Sequence, residues 1–310
     1  MIIPLPDTTT RDISKKLVEA QEHYTLTTGR VLTLIVSAYQ GDDINVILDS
    51  IRDASHEHPA RVLVVISEDP AAETSLDAEL RVGGEAGASE IVIMRLHGEL
   101  AHQAEAVVTP LLLPDTPIVA WWPTRYPDSP AEAPIGGLAQ RRITDIAHSE
   151  GPTPQMLQQL SDGYQPGDSD MSWAMITLWR GIVASALDRL PHEPVGSVTI
   201  SGPQSHPAVD LAAGWLSDRL GVAVRRAADN PSLHHHFPIS KLIFHRDSGD
   251  ISLTVVDHGS VELAVPNSPT SLVALSVRSQ AEVLAEELRH LDTDQIFANA
   301  LRALPRVSYV

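Results

Sequence analysis

Four apolar segments of strand length alternate with helix-like segments in the first 122 residues, and this alternation restricts the possible folds most strongly. The segments are rich in valine, isoleucine and leucine, and they occupy residues 30–37, 61–67, 91–97 and 118–122. Continuous apolar runs of this length are typical of strands buried on both faces, and strands separated by helices pair in parallel. The pattern predicts an α/β domain with a mostly parallel sheet of the Rossmann or flavodoxin class.

The second half of the chain repeats this alternation and then changes to hairpin patterns. A strand at 197–202 precedes a helix at 207–220 that should stop at Gly221, and a further strand starts at 222. Turn sequences then separate three strand patterns, and two helices close the chain. The predicted strands lie at 239–245, 251–257 and 260–265, and the helices at 280–291 and 293–304. We expect a second α/β domain whose mixed sheet gains antiparallel strands.

The composition changes between Pro123 and Gly167, where seven prolines and many polar residues occur. Short apolar stretches within this segment favour a structured crossover over a flexible tether. We therefore predict an N-terminal α/β domain at 1–125, a proline-rich crossover at 126–167 and a C-terminal α/β domain at 168–310. Asp168, Ser169 or Asp170 should cap a single long helix that continues to about Leu190.

Charge and cysteine content exclude several classes of function. The net charge is −18, from 22 basic and 40 acidic residues, and no basic run interrupts it, which argues against nucleic-acid and anionic membrane partners. The chain has no cysteine, so disulfides, thiolate metal sites and thiol redox switches within it are excluded. No signal-peptide pattern and no run of about 20 apolar residues occurs. We expect a cytoplasmic protein.

Motifs for catalysis, cofactors and metals are missing or poorly placed. The glycines at 83, 84 and 87 lie before a strand, whereas a dinucleotide loop follows a strand and opens a helix. Three consecutive histidines, His234 to His236, lack the helical spacing that directs two rings to one metal ion. Nucleophile-elbow, Walker and H-E-x-x-H patterns are absent. We predict no enzyme activity, no cofactor and no metal.

One loop supports an alternative function. The segment from Ser201 to Pro207 joins a strand to a helix, and the free amides at the start of such a helix can bind an anion. His206 could act there as a general acid or base. This loop would suit a sugar-phosphate or nucleotide-binding α/β enzyme, although an ordinary connecting loop has the same pattern.

Adjacent tryptophans and nearby arginines are the candidate contacts for a protein partner. Trp121 and Trp122 end the segment VVTPLLLPDTPIVAWWP and should point to opposite faces of a strand, so one ring could anchor a partner. Arg125, Arg141 and Arg142 are the accompanying candidates. Arg141 and Arg142 could instead pair internally, with Asp145 as the local partner. Burial of both tryptophan rings at a domain junction is the alternative for that pair.

Several long motifs resemble those of OpcA, the glucose-6-phosphate dehydrogenase assembly protein family of actinobacteria and cyanobacteria. They include LPDTTT, GRVLTLIV, RVGGEAGASEIVIMRLHGELA, LLLPDTPIVAWWP and AQRRITD, and they cover most of the first 150 residues densely. The resemblance implies a non-catalytic partner that binds glucose-6-phosphate dehydrogenase and supports its active oligomer and NADPH production in the oxidative pentose phosphate pathway. Cyanobacterial relatives are associated with thiol-based control, which a chain without cysteine cannot provide itself.

Overall fold

The computed structural model describes residues 1–23, 30–87, 89–190, 192–229 and 237–310. The chain forms two compact units, and each unit combines three separate segments. The first unit contains Met1–Glu150, Gly163–Ser169 and Gln280–Thr293, and the second contains Gly151–Asp162, Asp170–Ser279 and Asp294–Val310. Both units are α/β, which confirms the predicted fold class. The domain boundaries proposed from the sequence stay a prediction.

The first unit is built on an eight-stranded sheet. Its elements are β1 (Ile2–Leu5), α1 (Thr10–His23), β2 (Leu32–Tyr39), α2 (Ile44–Ala54), β3 (Ala60–Ser67), β4 (Ser75–Arg81), β5 (Glu90–His97), α3 (Ala104–Val108), β6 (Ile118–Trp122), α4 (Pro134–Leu138), β7 (Arg141–Thr144) and β8 (Asp168–Asp170), with α9 (Gln280–Arg289) from late in the chain. The strand order is β1-β4-β5-β3-β2-β6-β7-β8.

Parallel pairing joins β5, β3, β2, β6 and β7 in that order, so the chain builds outward from β2 in both directions. This confirms the predicted mostly parallel, doubly wound sheet. Two antiparallel strands, β1 and β4, extend one edge. β4 was not predicted, although charged residues such as Asp77 and Glu79 alternate with its buried apolar residues in the period-two pattern of a half-buried strand.

Helix α2 follows the pattern expected from the sequence. The Asp43 carboxylate accepts from the amides of Asn45 and Val46, and Ile47 and Ile51 are buried one turn apart. The helical segment expected between the third and fourth predicted strands is interrupted instead. It forms a 3₁₀ turn at 98–102, the short α3 and a second 3₁₀ turn that includes Pro110, because proline cannot donate the backbone bond that continues an α-helix.

The second unit is built on a seven-stranded mixed sheet with the order β14-β13-β12-β11-β9-β10-β15. Its elements are α5 (Thr153–Asp162), α6 (Met171–Met175), α7 (Thr177–Leu187), β9 (Ser197–Gly202), α8 (Pro207–Leu220), β10 (Ala223–Ala228), β11 (Lys241–His245), β12 (Ile251–Val255), β13 (Ser260–Ala264), β14 (Ser271–Ala274), α10 (Gln295–Ala303) and β15 (Val307–Tyr309). β10 pairs in parallel with β9 and β15, and β11 to β14 are antiparallel, as predicted for a mixed sheet.

One predicted helix of this unit is confirmed, and another is not. α8 has the predicted bounds and ends at Gly221, whose left-handed backbone (φ 66°) favours glycine. The prediction of a single long helix after Asp170 is wrong. The segment forms two helices, α6 and α7, which are separated at Ile176, where φ is −90° and ψ is 6°. The Ile176 side chain is completely buried, so tertiary packing overrides the continuous helical pattern at this residue.

None of the helices in the described part of the chain is long and apolar enough to cross a bilayer.

Candidate functional site at the carboxyl edge of the first sheet

The strand order of the first sheet reverses between β2 and β6. In open α/β sheets, ligands bind outside the carboxyl ends of the strands at such a reversal. The strands end there at Tyr39 and Trp122, and the loops that follow carry Asp42, Thr124 and Arg125. These loops form the first place where the fold itself predicts a site.

Asp42 ties the two loops together. Its Oδ2 accepts a hydrogen bond from the Tyr39 amide at 2.7 Å and another from the Thr124 hydroxyl at 2.9 Å. The Arg125 guanidinium lies 4.5 Å from the centre of the Tyr39 ring and 3.9 Å from Asp42 Oδ1. The crevice that a bound nucleotide would occupy is therefore bridged by side chains of the protein.

The charge at this point also disfavours phosphate. A dinucleotide-binding sheet presents glycine amides and a helix N-terminus to the pyrophosphate at the end of its first strand. Here the loop carries Asp42 and Asp43, and the Asp43 carboxylate already accepts from the first free amides of α2. Two carboxylates would repel a phosphate and leave it few donors. The site does not have the chemistry of a dinucleotide-binding loop.

Two clefts share Tyr39 as a wall. The larger, about 620 Å³, is lined by charged side chains, while the smaller, about 370 Å³, has mainly apolar walls with the hydroxyls of Ser37 and Ser67. Ser67 donates to the Ala101 carbonyl at 3.2 Å, and Glu68 forms an ion pair with Arg95 at 2.6 Å. These groups are thus engaged in structural contacts and do not form a nucleophile–base pair.

Both tryptophans of the candidate interface are buried. Trp121 is 0 % and Trp122 is 2 % exposed, so the expectation that one ring faces outward is wrong. The two rings do point to opposite faces, but β6 is an interior strand and both of its faces are covered. Trp122 lies in the apolar cluster that includes Ile35, Leu111 and Ile135. These rings hold the core of the first unit together.

Arg141 and Arg142 are also buried, with partners that the sequence did not indicate. Arg141 Nη2 forms an ion pair with Glu287 at 2.6 Å, and Arg142 forms one with Asp168. The expected local partner, Asp145, contacts His148 and Gln280 instead. The internal pairing of both arginines is confirmed, although the prediction of Asp145 as the partner is wrong.

Asp168 shows the electrostatic cost of this burial. Burial raises the pKa of the Asp168 carboxyl, while hydrogen bonds from the Gln165 amide and the Arg142 guanidinium oppose the rise. Arg142 also donates to the carbonyls of Ala139 and Pro166, so its donors are directed to internal acceptors.

Of the predicted contact residues, Arg125 alone has an exposed side chain, at 53 %.

The loop from Ser201 to Pro207 in the second unit is occupied by protein groups. His206 Nδ1 accepts from the Ala208 amide at 3.3 Å, which caps the start of α8. Buried Arg226 donates to the carbonyls of Gly202 and Pro203 and forms an ion pair with Asp210 at 3.2 Å. A carboxylate thus already lies in the first turn of α8, where a phosphate would bind. This arrangement gives no support to the alternative enzyme.

Asp210 is strongly perturbed by its surroundings. Burial raises the pKa of Asp210 to about 6, against the lowering effects of Arg226 and of a hydrogen bond with the Tyr309 hydroxyl. Burial, followed by the Asp210 charge, raises the pKa of Tyr309 to about 12. The cluster links α8, β10 and the edge strand β15, and its position indicates a role in the stability of this edge.

The remaining sequence motifs, the glycines at 83–87 and the three histidines, give no indication of a cofactor or metal site in the described residues. Gly83 begins a 3₁₀ turn that ends at Ala86. Gly87 has φ 63°, and a β-carbon at this position would clash with Ser55 and Arg52, so the loop requires glycine there. His234 to His236 lie outside the described residues. Within the ranges described, no group of three or more histidine, aspartate and glutamate side chains is arranged to hold a metal ion.

Family comparisons match adjacent parts of the chain. Residues 51–161 match the N-terminal domain, and residues 166–301 match the C-terminal domain, of a family described as the OpcA glucose-6-phosphate dehydrogenase subunit. No curated protein sequence gives a significant match.

The similarity to solved structures is low. An oxidoreductase from Sinorhizobium meliloti is 9 % identical, with a TM-score of 0.41 over 88 % of this chain and 95 % of the other. The apo structure of OtsA is 11 % identical, with a TM-score of 0.28 over 64 % and 65 % of the two chains. A structure titled trehalose-6-phosphate from E. coli bound with UDP-2-fluoro glucose is 9 % identical, with a TM-score of 0.28 over 63 % and 64 %.

Proposed function

Because this chain belongs to the OpcA family of glucose-6-phosphate dehydrogenase subunits, we propose that it binds glucose-6-phosphate dehydrogenase and promotes the active oligomer of that enzyme. In this role the chain is a non-catalytic activator in the cytoplasm. It supports NADPH production in the oxidative pentose phosphate pathway by raising the activity of its partner. The observation that carries the proposal is the pair of family matches, which together extend from residue 51 to residue 301.

The geometry of the candidate sites supports a non-catalytic role. At the carboxyl edge of the first sheet, Asp42 bridges two loops, and Glu68 is paired with Arg95. In the second unit, the donors of Arg226 are directed to backbone carbonyls and to Asp210. A catalytic site needs a nucleophile or base that is free to meet a substrate. The groups with that chemistry are held in these structural contacts.

Activation without catalysis follows from linkage. A protein that binds the active oligomer more tightly than the inactive form shifts the equilibrium towards the active oligomer. Each tenfold difference in affinity corresponds to about 1.4 kcal/mol of shift. The net charge of −18 favours a dehydrogenase surface with basic residues and makes the association weaker at high salt.

Titration of the purified dehydrogenase with this chain tests the proposal. We expect dehydrogenase activity to rise to a plateau, and light scattering to show a larger complex over the same concentration range. The chain alone should show no turnover with glucose 6-phosphate and NADP⁺, and an unrelated acidic protein serves as the control. Unchanged kinetics and unchanged oligomer mass at micromolar concentrations would overturn the proposal.

The absence of cysteine gives a second expectation for the same assay. The chain has no thiol that an oxidant could convert to a disulfide. Treating this chain alone with an oxidant or with dithiothreitol, before it is mixed with the dehydrogenase, should leave the activation unchanged. Any redox response of the complex would then come from the dehydrogenase.

A further inference from the structure

The second sheet ends in an edge strand, β14, whose outer side pairs with no strand in the described part of the chain. Its inner side pairs with β13, in a register that places Ser260 opposite Ala274 and Val261 opposite Val273. Edge strands in stable proteins are usually protected by charged side chains, prolines or bulges. β14 has the sequence SLVA, and Leu272 is 71 % exposed. The strand is short, which limits the length of the open edge, but it has no charged side chain and no proline to block pairing.

The register shows which backbone groups of β14 face outward. The Leu275 amide donates to the Gly259 carbonyl at 2.8 Å, so this opposed pair is hydrogen-bonded. In an antiparallel ladder, hydrogen-bonded and non-hydrogen-bonded pairs alternate. Val273 therefore bonds to β13, whereas Leu272 and Ala274 direct their N–H and C=O groups to the open edge. These four groups can pair with one additional strand.

Helix α7 provides the surface on which such a strand would lie. One side of α7 is buried by Trp179, Val183 and Ala186. Another side of α7 lines an open groove of about 450 Å³ with Leu178, Gly181, Ile182 and Ser185. Arg189, just beyond the end of the helix, and Val273 of β14 complete the lining. Leu178 is 41 % exposed. The groove combines an apolar helix face with the free edge of the sheet.

Arg189 gives the groove a charge. Its guanidinium donates to the Ser271 hydroxyl at 3.3 Å, and it forms no ion pair with any residue in the described ranges. In a chain of net charge −18, an arginine without a carboxylate partner at the end of an apolar groove favours an acidic group on the occupant.

We infer that an extended segment of the dehydrogenase binds along β14 as an eighth strand, with apolar side chains on α7 and a carboxylate at Arg189. This inference rests on the proposed function and adds the surface and the form of the partner segment. The main-chain bonds at Leu272 and Ala274 supply affinity, while Leu178, Ile182 and Arg189 select the side chains of the segment.

Gly181 allows a direct test. A β-carbon at Gly181 meets no atom within 4 Å, so Gly181→Leu fills the groove without an internal clash, and leucine favours the helix more than glycine. We expect Gly181→Leu to keep or raise the thermal midpoint of this chain and to weaken its binding to the dehydrogenase at least tenfold. Ala184→Leu is the matched control, because Ala184 is exposed on α7 but does not line the groove, so this variant should bind as wild type.

Hydrogen exchange adds a readout that reports strand pairing itself. The amides of Leu272 and Ala274 should become protected when the dehydrogenase is added to the wild-type chain, and they should stay exposed in Gly181→Leu. Leu272→Pro removes one outward donor without breaking a bond to β13, so it should keep the fold and lower the affinity at least tenfold. Arg189→Glu should weaken binding by a similar factor.

The outcomes separate this inference from the proposed function. Wild-type affinity of Gly181→Leu, or no new protection at Leu272 and Ala274 in a complex that forms, overturns the strand inference and leaves the proposed function intact. Failure of the wild-type chain to bind the dehydrogenase overturns both. If Gly181→Leu instead changes the mass of this chain alone in light scattering, the occupant is a second copy of the chain, and the assignment to the dehydrogenase is overturned.

Discussion

Arg141 and Glu287 lie 146 positions apart in the sequence and form a buried ion pair of 2.6 Å in the first unit. Glu287 also accepts from the Ser169 hydroxyl at 2.9 Å, and Arg141 donates to the Asp292 carbonyl at 3.0 Å. Through these bonds α9 is fixed to β7 and β8. The pair connects residues that a linear division of the chain would assign to different parts.

Removal of the Glu287 carboxylate should strongly destabilise the protein. Glu287→Ala leaves the Arg141 guanidinium buried without its counter-charge, which costs about 3–5 kcal/mol in comparable sites. Urea unfolding followed by circular dichroism measures this loss. Arg289→Ala is the matched control on the same helix: its pair with Glu57 is about half exposed, so the expected cost is about 0–1 kcal/mol. Equal effects of the two substitutions would contradict the structural role of Glu287.

The first unit should not fold from its N-terminal segments alone. A fragment of residues 1–170 lacks α9, so the contacts that Ser50 and Arg141 make with Gln280 and Glu287 are lost and the apolar face of α9 is missing. We expect broad, non-cooperative thermal unfolding of this fragment. The control is the same fragment joined by a flexible glycine–serine linker to residues 280–293, which should unfold in one cooperative transition. A cooperative transition of residues 1–170 alone would refute the prediction.

Stability should depend on the ionisation of Asp210. Its pKa is raised in the folded state to about 6 from an ordinary value of 3.8, so between these values the folded protein binds more protons than the unfolded chain. This residue therefore contributes stability below about pH 4 that is lost as the pH rises through 6. At about 1.4 kcal/mol for each pKa unit, the change is about 3 kcal/mol.

The variant Asp210→Asn isolates this contribution. The free energy of unfolding, measured from pH 4 to pH 7.5, should decline with pH in the wild-type protein more steeply than in Asp210→Asn. Asp218→Asn, on the same helix, is the control and should follow the wild-type curve. Parallel curves for the wild type and Asp210→Asn would show that the carboxyl has its ordinary pKa.

Two of the interface candidates should behave in opposite ways on substitution. Trp122 is buried in the core, so Trp122→Ala should cost about 3–5 kcal/mol of stability. The Arg125 side chain is about half exposed, so Arg125→Ala should cost less than about 1 kcal/mol. If Arg125 contacts the dehydrogenase, as the sequence predicts for a candidate contact residue, Arg125→Ala should weaken binding at least tenfold. Calorimetric titration gives the affinity, and an unchanged value removes Arg125 from the interface.

The continuous apolar strands of the first sheet could be predicted from the sequence, whereas its edge strands and those of the second sheet could not. β2, β3, β5 and β6 consist of continuous apolar residues, and each was located to within a few residues. β14 has four residues, half of them exposed, so a pattern of apolar residues does not reveal it.

The long-range ion pairs could not be predicted from the sequence either. Local spacing favours Asp145 as the partner of Arg141, because neighbours in sequence are close in any fold. The true partner, Glu287, is brought there by the path of the chain between the two units. The exposure of Arg125 and the burial of Trp121 depend in the same way on which elements cover β6.

The three-segment composition of the first unit has a consequence for synthesis on the ribosome. Residues 1–150 emerge well before residues 280–293, which complete the same unit. At about 5–20 residues per second, translation of the intervening chain takes roughly 7–30 s. During that time the apolar side of α2 that later packs against α9 is exposed to solvent. Binding of a chaperone to this side would protect the nascent chain from aggregation. Synonymous codon changes that slow translation between residues 150 and 280 should therefore lower the soluble yield without changing the finished protein.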